Sequence, residues 1–383
     1  MGHRQRETGT SDPRNAIGGR AATRRRVLQG AAGVIGASVV GSRPAAAASV
    51  GAAVDALLNQ LSARDKVAQL FIFEARGTTM TASYAERLAA ERPGGVLFVS
   101  PNVGALADVE PFVAAIHASN PLIPPLVAID QEGGPVTRLP GDPAPGAVEM
   151  GRWNEDEIFA ASAARANYLR AFRFDVNFAP VADVAYESSS AMAARSFGSD
   201  PIAVANAVTS MVRGSKQTRL LSAAKHFPGH GRTTQDSHLT LPEVDLSIAE
   251  WLETDAIPFQ SAVDAGISIM MVGHLRYAAW DDAPTSLSAT AVDLLRHELG
   301  FGGVIVTDDL GMSALADFDP FTVIDRAMAA GIDLLLYATP PAEPADLISY
   351  LQGRVERGEI PLSRIDDSLR RVLSLKVRRF GLG

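Results

Sequence analysis

The chain has no cysteine, which excludes disulfides, thiolate metal sites and a cysteine nucleophile. It also has no apolar run fit to span a bilayer. The one early candidate, residues 30–41, is too short and too rich in glycine. No internal repeat or low-complexity tract appears beyond it. No glycine-rich phosphate fingerprint follows the segment Gln69-Leu70-Phe71-Ile72-Phe73-Glu74, which argues against a dinucleotide-binding open sheet. Positive charge is short as well. There are 35 Lys and Arg against 43 Asp and Glu, a net charge of −8. That balance speaks for solubility and against nucleic-acid partners or anionic membrane surfaces.

What is present falls into two compositions. Residues 1–48 hold eight arginines against Glu7 and Asp12, a net +6, so residues 49–383 carry −14 where the whole chain carries −8. Arg24-Arg25-Arg26 precede the 30–41 run, and Arg43-Pro44 and Ala45-Ala46-Ala47-Ala48 follow it. A basic start, a short apolar run and an Ala-x-Ala site define a secretory signal. The paired arginines resemble a twin-arginine signal, with a cut expected near Ala48/Ser49. The expected division is an extension and signal at 1–48 and a separate folded domain at 49–383. The expected location is secreted, periplasmic or cell-wall associated, reached through the twin-arginine export machinery. No stable membrane anchor is expected after processing.

With 47% hydrophobic and 20% charged residues, the chain has ample material for a core. Eight short apolar runs recur, at 67–73, 95–99, 126–130, 174–179, 221–226, 267–273, 303–307 and 332–337. They are continuous rather than alternating, as strands buried on both faces are. Helical spacing fills segments between them, as in 158–171 and 203–217. Eight strand–helix units in roughly 330 residues predict a single (β/α)₈ TIM barrel. Polar groups gather where the runs end, at Asp130, Asn177, Lys225, His226, His274 and Asp308. That is the face where such barrels build their sites. A final amphipathic stretch, 362–376, predicts a closing helix with Ser363 and Asp366 as a cap pair and with Ile365, Leu369, Val372 and Leu373 on one face. No second domain is expected after it.

The densest chemistry lies in Lys225-His226-Phe227-Pro228-Gly229-His230-Gly231-Arg232-Thr233-Thr234-Gln235-Asp236-Ser237-His238. An apolar run leads into a cation and an imidazole, and a loop broken by Pro and Gly then delivers Asp236 and His238. Two positions apart, a carboxylate can accept a ring N–H, fix the tautomer and suit the imidazole to proton transfer. In Val304-Ile305-Val306-Thr307-Asp308-Asp309, Asp308 is expected to point into the barrel mouth and Asp309 to point outward or cap. Asp308 could then attack an anomeric carbon. Asp130, before Gly133 and Gly134, could bind paired hydroxyls or cap its loop, while Arg138 could orient it or donate to a ligand. Arg195, Lys225 and His226 add donors suited to hydroxyls or an acyl oxygen.

Together these blocks resemble glycoside hydrolase family 3, in its β-N-acetylglucosaminidase branch. The matching stretches are 129–139, 177–183, 195–198, 225–238, 303–312 and the closing helix, in family order across nearly all of 49–383. The resemblance implies a barrel that removes terminal β-linked N-acetylglucosamine with retention. By it Asp308 is the nucleophile, and His238 is the general acid/base with Asp236 as its partner. Asp130, Arg138, Arg195, Lys225 and His226 fall on the sugar-binding positions. No metal or organic cofactor is implied. Many relatives carry a Glu acid on a second domain. Here the proton donor must sit in the barrel, on the Asp236–His238 loop.

Two departures concern the substrate. Pro135 stands where relatives usually have a basic residue, and the stretch 188–194 before Arg195 is unusual. Export would point to β-N-acetylglucosaminide oligosaccharides of muropeptide or chitooligosaccharide type outside the cytoplasm. Within the family, a β-glucosidase or a phosphorylase is the alternative. Further off stand a metal-dependent hydrolase using His226, His230, His238 and Asp236, and a non-catalytic sugar-binding barrel.

Overall fold

The computed structural model describes residues 1–2 and 42–382; the arginine-rich stretch and the apolar run of the expected signal lie outside the described residues. Among the described residues, no helix is long and apolar enough to cross a membrane. The strands belong to one compact unit, Ala48–Gly383. In chain order they are β1 (Phe71–Glu74), β2 (Gly95–Phe98), β3 (Leu126–Ile129), β4 (Val176–Asn177), β5 (Leu221–Phe227), β6 (Ile269–Val272), β7 (Val304–Thr307) and β8 (Leu335–Tyr337). Each is parallel to the next, and β8 returns to pair with β1 at Phe71–Leu335. A parallel bridge from Val306 to Leu334 closes the ring between β7 and β8. The expected (β/α)₈ barrel is the fold, and each of the eight apolar runs overlaps a barrel strand. A separate two-stranded parallel ribbon, Glu243–Val244 with Arg276–Tyr277, belongs to the loops after β5 and β6.

Successive side chains on a strand face opposite ways, so each barrel strand has an inner and an outer row. Ile72, Leu97, Ala128, Ala223, Met271, Val306 and Leu336 form the inner row, one buried cluster. Phe71, Val96, Val127 and Ile305 belong to the outer clusters that pack against helices. Helices Glu155–Ala171 and Pro201–Gln217 cover the two helical segments read from sequence. Asn154 and Asp200 cap their first turns with side-chain oxygens.

Three boundaries differ from the sequence reading. Val67 and Ala68 are helical, in Ala63–Ala68, because Ser62 and Asp65 form a capping box that starts a helix just ahead of β1. The 174–179 run keeps only two ladder residues, Val176–Asn177. The closing helix, Leu362–Phe380, begins after Pro361, with no side-chain cap. Ser363 therefore lies inside it, and Asp366 pairs with Lys66 at 2.8 Å instead. Pro361 occupies the cap position, where it offers no side-chain acceptor and its carbonyl takes the Arg364 amide at 2.9 Å.

Ile365, Leu369, Val372 and Leu373 are fully buried, as their spacing predicts. Val372 and Leu375 join the inner-row cluster, so this helix plugs the end of the barrel opposite the site. Two buried carboxylates hold it there. Asp333 accepts from Ser368 at 2.7 Å and Arg371 at 3.0 Å, and Asp175 pairs with Arg379 at 2.7 Å.

Between them Lys376 is buried, its Nζ donating to Gln69 Oε1 at 2.6 Å. Burial pulls its pKa down to about 7 despite the nearby Asp175. Below pH 10.5 the unfolded chain protonates this lysine while the folded chain does not, down to about pH 7. Stability therefore falls as pH drops through that window, by at most about 1.4 kcal/mol per pH unit. Lys376→Met removes the proton site, so denaturant unfolding at pH 7, 8.5 and 10 should give a flatter profile for the variant. Parallel profiles would contradict the assignment.

Candidate active site

The inner rows decide what lines the barrel mouth. Continuing the inward parity past each strand gives Asp130 after Ala128, Lys225 after Ala223 and Asp308 after Val306. The last inner apolar residues, Leu97, Met271 and Leu336, meet these groups in one cavity of about 250 Å³. Asp130, Arg138, Arg195, Lys225, His226, His238 and Asp308 all line it, together with Glu132, Asp309 and Met312. Asp236 does not line it but holds His238. Seven of the eight residues read from sequence thus share one cavity, and the eighth is bonded to it.

His226 follows Lys225 directly, yet both face the cavity. Strict alternation forbids that for neighbours. The β5–β6 ladder shifts register between Ala224 and Phe227, and such an irregularity turns consecutive side chains to one side.

A charge network fixes the walls. Lys225 Nζ lies 2.6 Å from Asp130 Oδ1 and 2.7 Å from Glu132 Oε1. Arg195 grips Glu132 with two contacts, Nε–Oε2 at 2.9 Å and Nη2–Oε1 at 2.7 Å. Burial alone would raise the Glu132 pKa, but Lys225 and Arg195 pull it down to about 2. Burial likewise opposes the Lys225 charge, and Asp130 and Glu132 overcome it, holding its pKa above the usual lysine value. Arg138 does not orient Asp130, one of the options its position offered. Its Nη1 donates to Ser100 Oγ at 3.3 Å, and Lys225 holds Asp130.

Asp308 sits at the end of β7 with its side chain 17% exposed. Desolvation would favour the acid form. His226, His274, Lys225 and the Asp309 amide outweigh it and hold the carboxyl well below the usual carboxylate range. His226 Nε2 stands 3.9 Å from Asp308 Oδ2. Asp309 points the other way in function: its Oδ1 accepts the Gly311 and Ala338 amides, each at 2.9 Å, and so braces the loop. His274 is fully buried beside them. Its Nε2–H donates to the Asp309 carbonyl at 2.9 Å, so Nδ1 accepts from Ser286 Oγ at 2.7 Å.

On the loop after β5, Asp236 Oδ1 accepts both the His238 amide at 2.9 Å and the His238 Nδ1–H at 2.7 Å. Burial is small at Asp236, and the His238 contacts lower its pKa. With Nδ1 engaged, Nε2 is the ring nitrogen without a hydrogen-bond partner among the described residues.

Asp183, Glu132 and His274 carry no role in the sequence reading. Fully buried Asp183 accepts the His226 Nδ1–H at 2.7 Å and the backbone N–H groups of His226 and His230. Burial opposes its charge, and the two histidines more than compensate. Glu132 had a visible signal, since it shares the parity of Asp130 two residues before. Asn177 is a brace rather than a ligand group: its amide bonds both the N–H and the carbonyl of Gln131, each at 2.9 Å. Among the described residues, no group of three or more His, Asp or Glu is arranged to hold a metal ion. The histidines of a metal reading are spent on Asp183, Ser237 and Asp236.

Residues 62–375 match the family model for the glycosyl hydrolase family 3 N-terminal domain. The chain belongs to glycosyl hydrolase family 3. A β-hexosaminidase of Nitrosospira multiformis is 36% identical over 307 residues, 77% of this chain and 87% of that protein. The β-hexosaminidase LpqI of Mycobacterium tuberculosis is 33% identical, over 84% of this chain and 85% of its own. Among solved structures, a family 3 β-N-acetylglucosaminidase from Paenibacillus sp. strain FPU-7 superposes with a TM-score of 0.80 at 31% identity, covering 84% of this chain and 63% of that one.

Proposed function

We propose that this family 3 β-N-acetylhexosaminidase is an exported, retaining enzyme that trims terminal β-linked N-acetylglucosamine from cell-wall or chitin-derived oligosaccharides. The observation that supports the mechanism is a single cavity lined by both Asp308, held as an anion, and His238. Asp308 attacks C1 of the terminal sugar while His238 Nε2–H gives its proton to the departing glycosidic oxygen. Asp236 holds the imidazole by Nδ1 and steadies its charge. The C1–O bond to the leaving group breaks as the C1–O bond to Asp308 forms. His238, now neutral, takes a proton from water, whose oxygen displaces Asp308 and restores the β configuration. A neutral imidazole also spares the developing carboxylate ester a second nearby anion. Asp130, Arg138, Arg195, Lys225 and His226 are assigned to the sugar, with the charge network pre-set so that hydroxyls meet fixed partners. The arginine pair before residues 30–41 supports export, and the wall or chitin substrate follows from that location.

A neutral proton carrier would also admit an anionic acceptor in the second step, which keeps phosphorolysis as a second reading. Initial rates on 4-nitrophenyl β-glucoside and N-acetyl-β-glucosaminide, with and without inorganic phosphate, separate these outcomes. The expected result is a preference of about 10²-fold or more for the N-acetyl substrate, with no phosphate in the product. Equal rates on both would make it a β-glucosidase, and a sugar 1-phosphate would make it a phosphorylase.

A further inference from the structure

The Asp236–His238 pair is closed on itself. Its two hydrogen bonds fix the imidazole relative to its own loop and leave open what fixes the loop relative to Asp308. Both side chains are about half exposed, at 47% and 63%, while Ser237 between them is 4% exposed. Ser237 is the pin of the loop. Its Oγ lies 3.0 Å from His230 Nε2, and its carbonyl accepts the Ala314 amide at 3.3 Å.

His230 belongs to the frame. Its ring is 1% exposed and packs edge-on to His226, with centroids 6.0 Å apart. Its amide donates to Asp183 Oδ1 at 2.7 Å, the same carboxylate that holds His226 beside Asp308. Its Nδ1 is buried and has no hydrogen-bond partner among the described residues. An imidazole with one partnered nitrogen keeps its proton there, because a buried N–H without an acceptor costs more than a bare lone pair. Burial and the neighbouring His226 also favour the neutral ring. Nε2–H therefore donates to Ser237 Oγ.

We infer that His230 is a positioning residue, which latches the proton-donor loop over the nucleophile through Ser237 while Asp183 ties the latch to the frame that holds His226. The inference rests on His238 being the general acid. The latch is one neutral side-chain hydrogen bond, strong enough to bias the loop toward its working position and weak enough to let it open for product exit.

The test compares kcat and KM of the full chain on an alkyl N-acetyl-β-glucosaminide, whose leaving group needs a proton, and on an activated aryl one, which needs little. Ser237→Ala should lose about 5- to 10-fold in kcat on the alkyl substrate, the net worth of such a bond, with KM unchanged. On the aryl substrate it should stay within about 2-fold. Ser237→Thr, which keeps the hydroxyl, should recover the alkyl rate. His230→Gln, whose amide nitrogen reaches near Nε2, should keep most of the parental alkyl rate. A purely structural role would lower Tm and both rates together. Equal losses on the two substrates in Ser237→Ala, or none on either, would overturn the latch while His238→Ala still discriminates between them. If His238→Ala fails to discriminate, the acid assignment falls and the latch falls with it.

Discussion

Asp308→Ala should fold like the parent and lose turnover by a factor on the order of 10⁴ or more, the scale seen when a covalent nucleophile is deleted. The loss follows from chemistry, since the other carboxylates lining the cavity are committed elsewhere, Asp130 and Glu132 to Lys225 and Asp309 to the Gly311 and Ala338 amides. Retained folding follows from the same network. The groups around Asp308 each keep another anionic partner, Lys225 with Asp130 and Glu132, Arg195 with Glu132, and His226 with Asp183. Removing Asp308 therefore strands no buried charge, which is what usually makes such deletions costly. Circular dichroism and a thermal melt check the fold, and initial rates check the chemistry. Turnover near the parental rate would mean that the nucleophile lies elsewhere.

His238→Ala should divide substrates by leaving group. On alkyl glycosides the loss should reach about 10²- to 10⁴-fold, the usual range for a general acid, while activated aryl glycosides suffer far less in the first step. The side chain is 63% exposed and its only protein partner among the described residues is Asp236, so its loss should hardly disturb stability. Asp236→Asn should follow the same pattern at smaller amplitude, because an amide can hold the ring but cannot balance the charge it gains. Equal losses on alkyl and aryl substrates would remove His238 from the acid role and leave it a binding residue.

The barrel was legible because its signal is redundant. Eight apolar runs, several of them ending in a polar group, leave few alternatives, and an error of a few residues at 67–73 or 174–179 does not alter the topology. The first error arose where a local capping box, Ser62 with Asp65, outcompeted strand propensity. The second arose because pairing partners, not composition, decide where a ladder stops. Likewise, sequence could nominate Asp308, His238 and Lys225 by type and place, since carboxylates and imidazoles at strand ends are costly unless used.

What sequence alone determined, then, is the architecture and the set of reactive groups. Hydrophobic periodicity and titratable side chains are properties of the chain itself. Which groups touch was decided by closure of the ring. Asp183 and His226 are 43 positions apart, Asp130 and Lys225 are 95 apart, and each pair meets at 2.7 Å or less. No local rule carries such distances. The carboxylate that Lys225 claims, the neighbouring groups that keep Glu132 and Asp308 ionised against burial, and the pinning of His238 through Ser237 all come from side chains converging inside one low-dielectric mouth. There the strength of a charge depends on its neighbours in space rather than in sequence.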